Sequence, residues 1–557
     1  MSKMNKIRQA VRYTLFFAIF FLNLTAYANS ASSSSIAVVP SILREQSLIF
    51  CTHSSDLVDE QIYDKLIEFD PIENKFMPAL ASHFEVSEDG LSVTLFLRPN
   101  VAFHQTKWFT PTRFLNADDV VFSLNRMLDE PALKQSNLDT KIVSMTALAD
   151  DVINIQLAEP NASLLTYLAS QYGSILSKEY ALQLEAGNNL RQLDLLPVGT
   201  GAYQLSFDGE YQQNDYVRLT PHLGYWGEKA NVANVIVDFS TTSTGRMAKF
   251  LNGECDIVAF PEPSQLLISP FLSKQYSSNP LRARLAKEGY MVESQGANIA
   301  FLAFNMRRSK MQDRALRQQI AQSIVRERLA KVLFYGLAEP AYTMLPKLFW
   351  EKGQTVVGEQ VIDNVAQPNG VSTSVIRKNL QETDRLSDLP ANSLLLWVVD
   401  ENQAHHLHSL KMAELIRADL ARSGLNLKVR KVSRAYFIQQ LQQGQADYDL
   451  ILSSWLADNA DLDRFLTPLL SCQAQHSVTN LANWCDPKLD LLLDAVGLSE
   501  ESEVRQLLYQ QIQKRLIETL PILPLVNVKQ ALLVRNNVKQ VRLTPFGQVN
   551  LSHIRVE

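Results

Sequence analysis

Three aspartates that follow an apolar segment near residue 450 are the first candidates for binding chemistry. The run Tyr448–Leu456 (YDLILSSWL) predicts a buried strand, and Asp458, Asp461 and Asp463 come shortly after it. Because ligands of open α/β sheets collect at the carboxyl ends of strands, a carboxylate here is placed to pair with a cationic group of a solute. Helix capping is the alternative, and it suits Asp461 or Asp463 better, since a helix is predicted over 464–470.

Three further side chains could contribute to a site. Trp397 and Trp455 could line an apolar cleft wall, although a tryptophan at a strand end more often packs in a core. Arg246 follows Gly245 in a predicted strand-to-helix turn and could contact an anionic group, with a structural ion pair as the alternative.

The histidines His405, His406 and His408 form a cluster that raises the hypothesis of a metal or haem site, because imidazole ligates both. A solvated loop before a helix is the alternative. No cysteine lies near the cluster, so the solvated loop is favoured and no metal or cofactor is expected.

Motifs of known enzymes are missing from the sequence. It contains no GxSxG, no HExxH and no Walker loop, and the one glycine-rich stretch, Gly199–Gly201, belongs to a PVGTG turn. The chain is therefore not expected to be an enzyme, and hydrolysis is a weak alternative.

The first 28 residues have the features of a signal peptide. A basic start (Lys3, Lys6, Arg8, Arg12) precedes an apolar core of twelve residues, and Ala26-Tyr27-Ala28 offers a cleavage pattern. The apolar core is too short for a membrane anchor, which needs roughly 20 residues. Residues 1–28 are predicted to be removed on export, with a Gram-negative periplasm as the destination.

The charge balance limits the partners. Without the four basic residues of the leader, 49 Lys plus Arg face 58 Asp plus Glu, a net charge of about −9. A nucleic acid partner would call for clustered Lys and Arg. An acidic surface is compatible with cationic solutes.

The four cysteines, Cys51, Cys255, Cys472 and Cys485, favour disulfides in an oxidising compartment, and three pairings exist. A local bridge between Cys472 and Cys485 is the simplest choice, and it leaves Cys51 with Cys255. Four buried free thiols are the alternative. A zinc site is disfavoured because neither a CxxC nor the zinc-finger spacing of two histidines, with three to five residues between them, occurs.

Strands and helices alternate along the chain, which predicts a mixed α/β protein with at least two sheets. The clearest predicted strands are Val93–Leu97, Val152–Leu157 and Val235–Phe239, and the clearest helices are Ala117–Leu128, Arg314–Phe334, Leu410–Ser423 and Val504–Thr519. Asn116 is expected to cap the first of these helices, and Gly424 to end the third.

A chain of 557 residues exceeds what one core usually organises, so two or more lobes are expected. One crossing between lobes is predicted near Gly296, before the extended run Ala297–Asn305, and a return crossing near Leu520–Pro524. Two crossings form a hinge, and the cleft beside a hinge is the usual place for a solute site.

Motifs in a fixed order along the chain carry a family resemblance. They are Ile62–Pro71 (IYDKLIEFDP), Pro78–Leu97, Asn116–Arg126 (NADDVVFSLNR), Pro197–Leu205 (PVGTGAYQL), Tyr225–Gly227 (YWG), Asn298–Asn305, Ala315–Ala321 and Trp455–Asp463 (WLADNADLD). Together they resemble the dipeptide- and oligopeptide-binding proteins of bacterial ABC importers, family 5 of the extracellular solute-binding proteins. The stretches Lys107–Arg113, Ser243–Cys255, Leu469–Cys485 and Thr544–Gln548 (TPFGQ) are similar to a branch of that family named for resistance to antimicrobial peptides.

The resemblance implies a two-lobed periplasmic-binding-protein fold of type II, in the large cluster C form, with mixed sheets. Lobe I would span 29–296 and include an extra N-terminal subdomain at about 62–190. Lobe II would span 297–522, and 523–557 would return to lobe I. The cysteines fall where dipeptide-binding members carry the same two bridges.

The implied function is that of a monomeric periplasmic subunit that captures peptides, cationic antimicrobial peptides among them, and delivers them to membrane permease subunits. In relatives, an aspartate three residues after the tryptophan holds the peptide's α-ammonium, which points to Asp458. Those relatives hold the ligand's carboxylate with an arginine, where alignment places Gln403 here. An amide cannot supply a charge-assisted fork, so the ligand preference should differ. A haem or metal carrier on the same fold is the alternative.

Overall fold

The structure is a computed structural model that describes residues 47–54, 56–70, 75–129, 141–161, 163–206, 215–240, 242–259, 287–346, 393–400, 408–457, 462–475, 477–499 and 502–557. The predicted leader lies outside these residues, as do Gln403, His405, His406, Asp458 and Asp461. Within the described ranges, no helix combines the length and apolar character needed to cross a bilayer.

Three sheets of four or more strands organise the described part of the chain. The first sheet has seven strands in the order Gly289–Ser294, Gln530–Arg535, Ile257–Ala259, Ser47–Cys51, Asn234–Asp238, Tyr216–Pro221 and Tyr203–Leu205. The second sheet has six, in the order Ala338–Pro340, Ile522–Val528, Asn298–Phe304, Leu450–Leu456, Leu394–Asp400 and Leu427–Ser433. The third sheet has four, in the order Ala81–Val86, Ser92–Leu97, Val152–Leu157 and Ile142–Ala149. Two-stranded pairs join Ile67–Asp70 with Lys75–Pro78 and Val538–Lys539 with Arg555–Val556.

Helices pack on both large sheets, and most of the helices predicted from the sequence are present. The described α-helices are Asp56–Ile62, Ala117–Leu128, Leu164–Ala169, Lys178–Ala186, Ser243–Asn252, Ser309–Gln312, Arg314–Ser323, Arg326–Phe334, Ser409–Arg422, Arg434–Gln442, Leu462–Leu470, Pro487–Leu498 and Ser502–Thr519. Gly424 follows Ser409–Arg422 with a φ of 77°, as a helix-ending glycine does. Asn116 precedes Ala117–Leu128, and its backbone N–H donates to the Asp119 carboxylate at 3.1 Å.

The prediction of one continuous helix over 314–334 is wrong. The chain leaves helical geometry at Ile324 and Val325, whose backbones are extended. Both residues are β-branched, which weakens helix propensity, and Ile324 is buried. The Val325 N–H donates to the Asp419 carboxylate on a neighbouring helix at 3.2 Å, so a tertiary contact satisfies a backbone donor at the break.

The third sheet forms its own core with one long helix. Ala117–Leu128 lays Val120 and Leu124, both fully buried, toward the inward-facing residues of the strands Ser92–Leu97 and Val152–Leu157. The alternating burial of these strands matches the period-2 pattern that predicts them.

The chain passes between the first and second sheets twice. Gly289–Ser294 belongs to the first sheet and Asn298–Phe304 to the second, so one passage lies at 295–297. The other passage lies at Lys529, between Ile522–Val528 and Gln530–Arg535.

Reciprocal hydrogen bonds fasten the two passages to each other. The Asn298 side-chain amide donates to the Val528 carbonyl at 2.7 Å, and the Val528 N–H donates back to the Asn298 Oδ1 at 2.9 Å. A Cβ on Gly296 would come within 1.9 Å of the Val528 oxygen. Glycine is needed there because the two backbones approach so closely.

The second passage comes later in the chain than the sequence suggested. The prolines of Leu520–Pro524 do favour extended backbone, but Pro524 lies inside the strand Ile522–Val528 and faces Phe301. The register shifts between Ala300 and Phe301, as a bulge allows for a residue that has no N–H to donate.

Both disulfides have the predicted pairing. Cys51 is joined to Cys255 with a Cα–Cα distance of 6.0 Å, beside the parallel pairing of Ser47–Cys51 with Ile257–Ala259. Cys472 is joined to Cys485 with a Cα–Cα distance of 4.4 Å.

Candidate functional site

An open pocket lies where the N-terminal helix of the described chain meets the C-terminal segment. Its described lining residues are Glu60, Gln61, Tyr63, Asp64, Lys65, Glu68, Phe69, Thr166, Ala169, Ala202, Tyr225, Thr544, Phe546, Gln548, Val549 and Asn550. Three of them are acidic and one, Lys65, is basic. We call this site the acidic pocket.

The acidic residues are positioned by the helix Asp56–Ile62 and the strand after it. Glu60 lies in the last turn of the helix, Asp64 follows its end, and Glu68 lies on the strand Ile67–Asp70. The four-residue spacing of these acids would place them on one face of a continuous helix, but the helix ends before Asp64.

The helix is held in place from two directions. The buried Gln61 side chain donates to the Val549 carbonyl at 2.9 Å and accepts from the Leu551 N–H at 2.9 Å. On the other side, a Cβ on Gly199 would come within 2.0 Å of the Ile62 carbonyl oxygen. The PVGTG turn is therefore glycine-rich because it packs directly on this backbone.

Asp64 is held at the floor of the pocket by three donors. Its Oδ2 accepts hydrogen bonds from the Trp226 indole at 2.7 Å and the Thr200 hydroxyl at 2.9 Å, and its Oδ1 accepts one from the Tyr225 hydroxyl at 3.4 Å. Burial raises the pKa of Asp64 to about 6 although these donors oppose the rise. Asp64 is therefore mostly ionised at neutral pH.

Glu60 titrates close to neutral pH. Burial raises the pKa of Glu60 to about 7, with Lys65 and hydrogen bonds from the Val549 backbone and the Gln548 side chain acting in the opposite direction. A cation that enters the pocket stabilises the ionised form of such half-buried carboxylates strongly, because it replaces the stabilisation that water gives to an exposed carboxylate.

Backbone hydrogen bonds connect the acidic pocket to the strand that carries Trp455. The turn Thr544–Gln548 lines the pocket, and its Pro545 carbonyl accepts from the Ala297 N–H at 3.0 Å. The Ala297 carbonyl in turn accepts from the Ala457 N–H at 2.8 Å. The C-terminal end of Leu450–Leu456 therefore lies beside the first passage between the sheets and close to the pocket turn.

Trp455 lies on the second sheet opposite Ile299, and its half-buried side chain packs against the core of that sheet. Phe546 of the pocket turn packs against the same core, and its ring centroid is 6.5 Å from that of Phe69 across the pocket. Trp455 itself is not among the described lining residues.

Trp397 is fully buried in the second sheet. Its ring lies 5.4 Å from Tyr448 and 5.7 Å from Tyr436, with the Arg430 guanidinium 5.4 Å from its centroid. This environment favours the core-packing alternative for Trp397 over contact with a solute.

Arg246 is 5% exposed near the start of Ser243–Asn252, on the first-sheet side of the chain. Burial lowers the pKa of Arg246 and the Asp238 carboxylate raises it, while Asp238 also binds Lys249 at 2.6 Å. These neighbours favour a structural role for Arg246, which does not line the described pocket.

The remaining predicted site residues fall largely outside the described ranges. Gln403, Asp458 and two histidines of the cluster, His405 and His406, lie outside them, and the backbone of His408 precedes the helix Ser409–Arg422 with a φ of 67°. In the part of the chain that is described, no three His, Cys, Asp or Glu side chains are grouped so as to hold a metal ion.

Sequence reasoning missed Glu60, Asp64 and Glu68. The one signal in the sequence that could have indicated them is their regular spacing of four residues. Asp64 and Glu68 also lie inside the motif IYDKLIEFDP, which otherwise serves only as evidence for the family resemblance. Their partners come from Thr200, Tyr225 and the C-terminal segment, far away in the chain.

Comparisons with known proteins agree with the family resemblance. The sequence model described as "Bacterial extracellular solute-binding proteins, family 5 Middle" matches residues 75–477. The chain is 36% identical to the "Peptide transport periplasmic protein SapA" of Haemophilus influenzae, over 92% of this chain and 94% of that protein. It is also 36% identical to the "Probable ABC transporter periplasmic-binding protein SapA" of Escherichia coli, over 90% of this chain and 87% of that protein.

A solved structure shows the same fold. It is the dipeptide binding protein from Pseudoalteromonas sp. in complex with Met-Leu, which superposes with a TM-score of 0.72 and 29% identity, covering 92% of this chain and all of that one. The sheets and helices described above thus form the two-lobed α/β fold of periplasmic peptide-binding proteins. The chain belongs to family 5 of the bacterial extracellular solute-binding proteins, which bind solutes and do not transform them.

Proposed function

We propose that this protein is the periplasmic solute-binding subunit of an ABC peptide importer and that it captures peptides with basic groups. The observation that carries the proposal is the acidic pocket beside the passage between the two large sheets. Family membership supports peptide capture, and relatives named for peptide transport favour it over the haem or metal alternative.

Electrostatics support a cationic ligand. Glu60, Asp64 and Glu68 face one lysine among the described lining residues, and the pKa values of Glu60 and Asp64 are raised by burial. An entering ammonium or guanidinium group would lower both pKa values and form charge-assisted hydrogen bonds. Antimicrobial peptides with several basic residues have this chemistry.

The ends of the peptide require further groups. Asp458 is the residue after Ala457 in the sequence, and we assign it to the peptide's α-ammonium, with Trp455 on the preceding strand supporting the cleft wall. Gln403, in place of an arginine, would contact the other end without binding a carboxylate tightly.

The two passages define the lobes in this proposal. Lobe I holds the first and third sheets, lobe II holds the second sheet, and residues 295–297 and Lys529 form the hinge. Solute contacts from both lobes favour a closed form that docks on the permease. ATP is hydrolysed by a separate cytoplasmic subunit.

Export and assembly complete the proposal. Residues 1–28 act as a cleaved signal peptide, so the mature chain begins near Asn29 in the periplasm. The mature protein works as a monomer and contacts the permease subunits of the inner membrane.

Mass spectrometry of the solute that co-purifies from the periplasm tests the proposal. Peptides with two or more basic residues are the expected result. A haem absorbance band, or a population of acidic peptides, would contradict it.

A further inference from the structure

A second pocket lies on the second-sheet side of the chain and shares no lining residue with the acidic pocket. The helices Arg314–Ser323 and Ser502–Thr519 and the start of the strand Ile522–Val528 enclose it. Its polar lining groups include Arg326, Tyr342 and Gln513, and its apolar ones include Leu516 and Ile522. We call this site the arginine pocket.

Arg326 is 3% exposed, and among the described residues no carboxylate forms a direct ion pair with it. The Glu327 carboxylate, which accepts from the Tyr342 hydroxyl, acts on the guanidinium only through its field. Its Nε donates to the Pro524 carbonyl at 2.8 Å, and its guanidinium carbon lies 5.3 Å from the centroid of the Tyr342 ring. Burial lowers the pKa of Arg326 to about 10, so the side chain remains a cation at neutral pH. A buried guanidinium that no carboxylate contacts directly is stabilised further by an anion that binds it.

Gln513 supplies a second polar group without a partner. It is 1% exposed on the helix Ser502–Thr519, and its Nε2 has no hydrogen-bond acceptor within the described ranges. Buried side-chain amides are nearly always hydrogen-bonded, so the unpartnered Gln513 donor in the same pocket as the Arg326 guanidinium indicates a missing acceptor. Rotation of the terminal amide by 180° exchanges its two ends and lets either one face the pocket.

We propose that the arginine pocket binds a small organic anion that carries a carboxylate at one end and an apolar chain at the other. The guanidinium fork of Arg326 matches the two oxygens of a carboxylate. The Gln513 amide donates a further hydrogen bond. Met344, Leu516 and Leu520 are among the lining residues that would surround the apolar part.

The lining argues against a free inorganic anion. The single guanidinium matches one negative charge and the amide adds only a hydrogen bond, whereas a phosphate dianion would be left partly uncompensated among apolar side chains. Transfer of a hydrocarbon chain from water to this lining adds favourable free energy that an inorganic ion cannot gain.

Calorimetry with sodium hexanoate as the probe tests the proposal on the full mature chain. We expect one hexanoate bound per chain, and hexan-1-ol, the neutral probe of equal length, to bind at least about tenfold more weakly. Gln513→Leu keeps the side-chain volume and removes the amide, so hexanoate affinity should fall about tenfold, because a hydrogen bond to a charged group is lost. Gln511→Leu, at an exposed position on the same helix, is the matched control and should bind as the wild type does.

Amide NMR of glutamine-labelled protein locates the site independently. The Gln513 side-chain signals, identified by their loss in Gln513→Leu, should shift on addition of hexanoate. Arg326→Gln should abolish binding; if that variant does not fold, Gln513→Leu decides alone. Absence of hexanoate binding, equal binding of hexan-1-ol, or unchanged affinity in Gln513→Leu would each overturn the proposal.

Discussion

The Trp226 indole donates a hydrogen bond of 2.7 Å to the Asp64 carboxylate and so ties the YWG segment to the floor of the acidic pocket. Thr200, in the PVGTG turn, donates to the same oxygen at 2.9 Å. Two motifs that carry the family resemblance therefore position one carboxylate. Their physical role here is to keep a half-buried aspartate ionised where a cation can reach it.

Trp226→Phe should destabilise the fold by about 1–3 kcal/mol, because a hydrogen bond to a charged, half-buried group is lost. The pKa of Asp64 should rise further, since one of the donors that oppose its rise is gone. Urea unfolding at pH 7.5 and carboxyl NMR titration measure the two effects. Thr200→Val removes the other donor to the same oxygen and should act in the same direction. An unchanged Asp64 pKa in both variants would contradict this description of the pocket floor.

Glu60→Gln should change the pH dependence of stability. The folded pKa of Glu60, about 7, lies above its ordinary value of 4.5, so the folded state binds the proton more tightly and Glu60 disfavours folding as pH rises from about 4.5 to 7. Glu60→Gln should therefore be more stable than wild type by about 3 kcal/mol at pH 7.5 and close to it at pH 4.5. Denaturant unfolding of both proteins at the two pH values measures this difference. A stability difference that does not depend on pH would show that burial does not raise the pKa of Glu60.

Removal of the two disulfides should have unequal effects. On a chain-entropy estimate, opening the Cys472–Cys485 loop, with a separation of 13, costs about 3 kcal/mol, whereas the Cys51–Cys255 loop, with a separation of 204, costs about 5 kcal/mol. Paired Cys-to-Ser variants unfolded in urea test the order. Equal losses of stability in the two variants would mean that the entropy of the unfolded chain does not govern the stabilisation. Peptide mapping without reductant checks the pairing itself.

The sequence was most informative where one buried segment determines its own structure. Leu450–Leu456 and Asn298–Phe304 are apolar enough to be recognised as buried strands, and the structure pairs them antiparallel. The helix over 314–334 could not be divided correctly, because the acceptor that satisfies the break is Asp419, 94 residues away.

The acidic pocket could not be predicted because its geometry depends on contacts over much longer separations. Gln61 bonds Leu551 across 490 residues, and Thr200 bonds Asp64 across 136. No local pattern encodes such pairs. The pKa values of Glu60 and Asp64 follow from burial, which only the assembled fold creates.

Asp458→Asn should weaken binding of the co-purifying peptide at least about thirtyfold and leave folding intact, because the substitution removes the charge that would pair with the α-ammonium. Calorimetry measures the affinity. Asp461→Asn and Asp463→Asn are the matched controls. Asp461 precedes the helix Leu462–Leu470 in the sequence and Asp463 lies in its first turn. Because Asn suits a helix N-terminus nearly as well as Asp, both variants should keep their stability within about 0.5 kcal/mol and leave binding nearly unchanged. Wild-type affinity in Asp458→Asn would remove this residue from the proposed site.

The central claim, that the acidic pocket recognises a basic group, is tested most directly by a double-mutant cycle between pocket and ligand. Calorimetry at pH 7.5 would compare the tripeptide Ala-Lys-Ala with its norleucine counterpart, which has a similar side-chain length without the charge, on wild type and on Glu60→Gln/Glu68→Gln. We predict that the wild type prefers the lysine peptide and that this preference falls about tenfold in the variant. Equal binding of both peptides by the wild type, or an undiminished lysine preference in the variant, would contradict the claim.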